Sequence, residues 1–308
     1  MVDLTDQQIR AITSEFNINF SKKSRIKEAI VSSVYILDDI FVLRSQTLEG
    51  VRTVNQLRLE RKLIKSVRGN THFLFPDLMK NKSGDFFFFQ ENVAWMIYPI
   101  IPGKTLCTWY DLYKLNDDER KNIFLALRQL HNDTRGVYNG IVENSFVKLA
   151  EEKLEQGEEW LPMDQFKKIK KALKVIESTE KSILRKDCCF IHGDFHAGNI
   201  IFNEKSEISG FVDTDLCSFG PFYQDLAYSI ELFLVDYRHP VAFDPKILRK
   251  YAGLYGVSEV EYKILLNYII WYAYREAWFF NDSGFLPNQK FYFEYQKNML
   301  RILCNEIG

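Results

Sequence analysis

The chain has 308 residues, of which 46% are apolar and 15% aromatic. That length favours two domains or two lobes around a cleft, and the apolar content excludes wholesale disorder. With 40 basic residues against 41 acidic ones the net charge is −1, so no global positive field exists to hold nucleic acid or an anionic membrane.

The first hundred residues read as strand-rich. Glu28 to Leu37 is a β-branched and aromatic run, Asp38-Asp39 is a turn signal, and Ile40 to Arg44 is a second short strand. Together they predict a hairpin. Residues 53 to 67 change to helical periodicity, with Leu57, Ile64 and Val67 on one face. Phe86 to Phe89 and Ala94 to Ile101 predict two more strands around a turn at Gln90 to Asn92. Pro99 and Pro102-Gly103 then suggest a boundary, dividing the chain into residues 1–98 and 99–308.

Beyond it helices dominate. Asn116 with Glu119 three residues later predicts a capping box, followed by an apolar stripe of Ile123, Leu127 and Leu130. Residues 146 to 184 are charged and helical, and Lys167-Lys168 with Lys170-Lys171 reads as a solvated face. Cys188 to Ile191 and Asn199 to Phe202 are short apolar strands flanking a polar loop, and Phe211-Val212 begins another. From 222 onward the pattern is mainly helical, with aromatics concentrated at 271 to 280.

The five cysteines, at 107, 188, 189, 217 and 304, show neither metal-site spacing nor a disulfide framework, which reads as a reduced, cytoplasmic protein. The opening Met1-Val2-Asp3-Leu4-Thr5-Asp6 lacks the features of a signal peptide. Val93 to Pro102, the longest nearly apolar stretch, is too short to span a bilayer. No membrane or nucleic-acid partner is expected, and oligomeric state is open.

The densest chemistry lies in Phe190-Ile191-His192-Gly193-Asp194-Phe195-His196-Ala197-Gly198-Asn199 and in Gly210-Phe211-Val212-Asp213-Thr214-Asp215. Phosphoryl transfer needs a carboxylate to orient an attacking hydroxyl and oxygen ligands to hold magnesium against phosphates. Asp194 leaves a strand on a loop, Asn199 offers a carbonyl oxygen where the next strand begins, and Asp213 follows a further apolar strand. Short strands pin all three near one point.

These residues resemble the catalytic and metal-binding loops of the aminoglycoside phosphotransferase and choline kinase-like family. Gly220-Pro221 followed by Asp225-Leu226-Ala227 resembles a further element of that family. The resemblance implies an α+β, two-lobed protein kinase-like fold, with a small antiparallel-sheet N-terminal lobe and a larger, mainly helical C-terminal lobe. It implies a small-molecule kinase that uses ATP or GTP with Mg2+. By the same resemblance Asp194 is the catalytic base, Asn199 and Asp213 hold the metal, and His192 and Asp225 brace the loop. Arg44 stands where a phosphate-binding Lys is usual, and Glu60, on the inward helix face, is its expected partner. Ser32 and Ser33 replace a glycine-rich phosphate loop. The stretch containing Met96, Tyr98 and Ile100 is expected against the purine.

Trp271, Tyr274 and Trp278 share one helix face, which suits either core packing or a substrate pocket. Asp215, Glu231 and Glu276 could supply acidic partners to an amine-bearing acceptor such as an amino-alcohol, aminoglycoside or amino sugar. Three other readings compete: a pseudokinase or nucleotide-binding scaffold, motivated by Arg44 and the missing glycines; a metal-dependent phosphoesterase, motivated by His192, Asp194 and His196; and a protein kinase, for which no exit signature follows Asp213.

Overall fold

The computed structural model describes residues 4–26, 32–48, 53–108, 114–137, 154, 160–234, 246–282 and 289–306. Thr5 and Gln8 form a capping box that starts α1 (Asp6–Glu15). This helix is absent from the sequence expectation, although Thr5-x-x-Gln8 ahead of Ile9, Ile12 and Phe16 is a legible start signal. Those three side chains are buried against Tyr35, Leu37, Leu43, Trp95 and Ile97.

Those partners belong to an antiparallel sheet of β1 (Lys23–Arg25), β2 (Val34–Leu37), β3 (Phe41–Thr47), β4 (Phe88–Gln90) and β5 (Val93–Pro99), in the spatial order β1-β2-β3-β5-β4. Asp38 and Asp39 both take positive φ, 51° and 56°, in the three-residue connection between β2 and β3, where the Ile40 amide donates to the Leu37 carbonyl at 3.0 Å. The predicted strand from Glu28 begins at Val34, while residues 27–31 lie outside the described residues.

Alternation gives the sheet two faces. One packs on α1. The other carries Val34, Val42, Ala94, Met96 and Tyr98, which pack with Leu57 of α2 (Val54–Val67). Arg44 pairs with Val34 on one side and Met96 on the other, so it belongs to this second row.

After Pro99 the chain turns at Gly103, with φ +130°, where a Cβ would stand 2.3 Å from the Phe202 carbonyl oxygen. The helical part comprises α3 (Asp117–Asp133), α4 (Met163–Ser182), α5 (Tyr223–Leu234), α6 (Lys246–Tyr255), α7 (Glu259–Asp282) and α8 (Gln289–Glu306). The Asn116–Glu119 capping box forms and starts α3. Much of the predicted helical stretch 146–184 lies outside the described residues, and the described part is helical from Met163. One core holds Phe124, Leu127, Ile169, Leu226, Ile230, Tyr268 and Trp271. Among the described residues no helix is long and apolar enough to cross a membrane.

Two short ribbons stand between sheet and helices: β6 (Cys189–Ile191) pairs with β9 (Ser218–Gly220), and β7 (Ile200–Phe202) with β8 (Ile208–Phe211). Phe211 therefore ends a strand rather than beginning one. The Val212 amide still donates to the Asn199 carbonyl at 2.9 Å, and the extended run ends where Asp213 enters the left-handed region at φ +59°.

Candidate active site

The loop after β6 is held from behind by Asp225. This fully buried carboxylate, in the first turn of α5, accepts from the His192 amide at 2.6 Å and the Gly193 amide at 2.8 Å. A carboxylate near a helix N-terminus is favoured by the macrodipole. His131, also fully buried, lies 3.3 Å from Asp225 and 2.8 Å from the Tyr255 hydroxyl, so it is a satisfied core histidine. The His192 ring spans two loops: Nε2 donates to the Val212 carbonyl at 2.9 Å, and Nδ1 faces the Asp194 amide at 3.3 Å. Gly193 has φ +82° and sits so close to the next loop that a Cβ would lie 2.3 Å from the Leu216 carbonyl oxygen.

This packing delivers Asp194 with 27% of its side chain exposed. Its Oδ1 accepts from the Tyr228 hydroxyl at 2.8 Å, and its Oδ2 accepts from Asn199 Nδ2 at 3.0 Å. His196 Nε2 is 3.6 Å away. Burial pushes the Asp194 carboxyl up, but His196, the Tyr228 hydrogen bond and His192 together hold it well below the usual carboxylate range. It is therefore an ionised acceptor at neutral pH. Tyr228 escaped the sequence reading. Its position one residue past Asp225-Leu226-Ala227 is the only signal, and that carries no chemistry until α5 is folded.

Asn199 closes a single 3-10 turn, Ala197–Asn199, and directs Nδ2 at Asp194 and His196. Its backbone carbonyl receives the Val212 amide, which sets Asp213 beside it. Asp194 and Asn199 thus touch side chain to side chain, and Asp213 follows directly on the residue whose amide bonds to Asn199.

Across the cleft, Arg44 Nη2 donates to Asp213 Oδ1 at 2.8 Å and to Asp215 Oδ2 at 2.7 Å. Burial pulls the guanidinium down, but Asp213 and Asp215 outweigh it and hold the group above its ordinary value. The expected Arg44–Glu60 pair does not form. Glu60 instead accepts from the Thr214 hydroxyl at 2.7 Å. Burial and then the Asp215 charge push Glu60 up to about 8. Two carboxylates from a single turn reach Arg44 first, and the residue between them engages the helix.

The other expected positions fall as follows. Asp215, expected beside the acceptor, is buried on Arg44. Glu231 is fully buried in α5, where burial and then the Glu276 charge push its carboxyl up, so it is not exposed to meet a ligand. Trp271 and Tyr274 are buried, with Trp160 stacked on Tyr274 at 5.7 Å, so the core claims both. Trp278 is partly exposed further along α7. Ser33 bonds to Ser45 through both its amide and its carbonyl, which leaves that amide unable to serve a phosphate; Ser32, also buried, precedes it. Met96 and Tyr98 are buried in the Arg44 row, where burial pushes Tyr98 up to about 12. The Ile100 amide is committed to the Ile40 carbonyl at 2.7 Å.

Beside Asp194 on the helical side, Tyr228 lies under Arg275, 4.7 Å from guanidinium carbon to ring centre. Arg275 pairs with Glu276 at 2.8 Å and also covers Tyr272. Among the described residues no three His, Cys, Asp or Glu side chains converge as a metal cage.

The sequence matches the phosphotransferase enzyme family across residues 41–263. The chain belongs to that family. Its reaction class is accordingly the transfer of a phosphoryl group to an alcohol on a small molecule. Among curated proteins none matches. Solved structures with the same fold include the GDP and kanamycin complex of APH(2")-IIia, 12% identical, with TM-score 0.69 over 97% of this chain and 99% of that one. An aminoglycoside phosphotransferase from Alicyclobacillus acidocaldarius is 12% identical, with TM-score 0.61 over 100% of this chain and 97% of that one. A spectinomycin phosphotransferase in complex with ADP and spectinomycin is 15% identical, with TM-score 0.58 over 100% and 99% of the respective chains.

Proposed function

We propose that this phosphotransferase moves the terminal phosphoryl group of ATP or GTP, with magnesium, to a hydroxyl of a small amine-bearing acceptor. The observation that carries the reading is Asp194: an ionised, partly exposed carboxylate fixed by Tyr228 and Asn199. Such a group accepts the hydrogen of an incoming hydroxyl and aligns its oxygen for in-line attack.

The donor set suits magnesium. Asn199 donates its two amide hydrogens to the Asp194 backbone carbonyl and carboxylate, which leaves the side-chain oxygen for a cation. Asp213 keeps 43% of its side chain exposed and has an oxygen beyond the one Arg44 uses. Two hard oxygen ligands are a normal protein share, because magnesium retains waters and phosphates as its other ligands. When bound, the ion neutralises phosphate oxygens and so favours departure of the nucleoside diphosphate. Arg44 supplies a fixed positive charge on the sheet side.

For the purine, the chain end of β5 is the candidate. Pro99 has no amide hydrogen, and the Ile100 amide is committed, but the Ile101 amide has no hydrogen-bond partner among the described residues. An amide without a protein partner is open to an acceptor, and a purine ring nitrogen would provide one. For the acceptor, the candidate flank is Tyr228, which bonds to Asp194, with Arg275 over its ring and Glu276 paired to Arg275. The names of the similar structures, which include kanamycin, gentamicin and spectinomycin complexes, support an amine-bearing molecule.

The test is a nucleotide-consumption screen over amino-alcohols, aminoglycosides, amino sugars and neutral sugars. Phosphorylation of a cationic member is expected. Turnover of neutral sugars alone would refute the amine, and nucleotide binding with no turnover on any acceptor would favour a nucleotide-binding scaffold.

A further inference from the structure

We propose that Asp215 is the residue that positions Arg44 in this chain, and that Glu60 has a different task, locking α2 to the Asp213 turn through Thr214. The inference rests on the phosphotransfer reading for its functional consequence but not for the pairing itself.

Arg44 lies mid-strand in β3, flanked by Val34 and Met96, so its side chain leaves the sheet on the α2 face. There it meets two carboxylates of unequal character. Asp215 has 4% of its side chain exposed and Asp213 has 43%, against 9% for Arg44. A buried ion pair cannot exchange its partner for water without a large desolvation cost, whereas an exposed carboxylate can release one contact and take another. Asp215 is therefore the permanent anchor and Asp213 the exchangeable one. If Asp213 turns to a cation, Arg44 remains fixed by Asp215.

Only one nitrogen of the guanidinium, Nη2, is engaged by these two carboxylates. Nε and Nη1 carry no hydrogen bond among the described residues, which leaves one edge of the planar group available to anionic oxygens. A Lys would have to serve all of these acceptors from one nitrogen, without the planar fork that separates the carboxylate side from the open side. Glu60 is held apart by its own hydrogen bond to Thr214, and its elevated pKa reduces its charge as a competitor for Arg44. The three consecutive residues Asp213, Thr214 and Asp215 thus address a cation, a helix and a guanidinium in turn.

The experiment measures direct binding of a nucleoside triphosphate, with and without magnesium, to the full chain carrying Asp215→Asn, Glu60→Gln or Arg44→Lys. Asp215→Asn is expected to weaken binding by about tenfold or more, equivalent to about 1.4 kcal/mol. It should also match the loss in Arg44→Lys, while Glu60→Gln loses several times less. Equal losses for the two carboxylates, or a larger one for Glu60→Gln, overturn the assignment. A denaturation cycle on Arg44→Gln and Asp215→Asn reads the pairing without any nucleotide. The double variant should be more stable than Asp215→Asn alone, because the single change leaves a buried guanidinium with only the exposed Asp213 as its partner. A double variant no more stable than that single one also overturns the proposal, even if no acceptor is ever phosphorylated.

Discussion

Replacing Tyr228 by Phe removes one hydroxyl and leaves a ring of the same shape under Arg275. The lost contact is the 2.8 Å bond to Asp194 Oδ1. A hydrogen bond to a charged acceptor contributes about 1.5–3 kcal/mol. Asn199 still holds the other oxygen, so the carboxylate stays in place but gains freedom about its last torsion. If that freedom appears in the transition state, each 1.4 kcal/mol lowers kcat about tenfold, which gives a loss of roughly 10- to 100-fold. Tyr228 is on the helical side, away from Arg44, so the KM for nucleotide should hardly move. Steady-state kinetics with the nucleotide and the acceptor varied in turn would separate the two effects. An unchanged kcat, or a loss confined to the nucleotide KM, would show that Tyr228 does not act through Asp194.

Asp213→Ala should raise the magnesium concentration needed for half-maximal rate as well as lower the rate; an unaltered magnesium titration would exclude Asp213 as a ligand. Glu60 gives a stability signature. Its ordinary value is 4.5 and the fold raises it to about 8. The folded state therefore binds this proton more tightly than the unfolded chain does. The stabilisation is complete below about 4.5 and is lost as pH rises towards 8, by at most about 1.4 kcal/mol per pH unit. Glu60→Gln should flatten that part of the melting-temperature profile, and a parallel profile for variant and parent would refute the elevated carboxyl.

Much of the fold was legible because its signals are local. Asn116 and Glu119 cap a helix by contacts three residues apart, Asp38-Asp39 turns a hairpin by backbone preference, and Leu57, Ile64 and Val67 repeat at helical spacing. The loop from His192 to Asn199 is similarly local. What could not be read depends on contacts across more than a hundred residues. Arg44 reaches Asp213 and Asp215 from the far lobe, and nothing in the sequence ranks these above Glu60, which is only 16 positions away. The aromatic face at Trp271 and Tyr274 fits a pocket and a core equally well on periodicity, and only the packing of α4, α7 and α8 decides for the core. Helix α1 was missed for a different reason, since its capping signal is short and sits ahead of a strand-rich region.

The central claim is that Asp194 orients the acceptor hydroxyl while other residues hold the nucleotide. Asp194→Ala, assayed side by side for turnover and for direct nucleotide binding, tests it in one protein. The account predicts turnover reduced at least about a thousandfold, as expected when positioning and proton acceptance are lost together, with nucleotide affinity within about threefold of the parent, a difference of about 0.6 kcal/mol. A variant that keeps more than roughly a tenth of the parental turnover, a difference of less than about 1.4 kcal/mol in barrier, would contradict it.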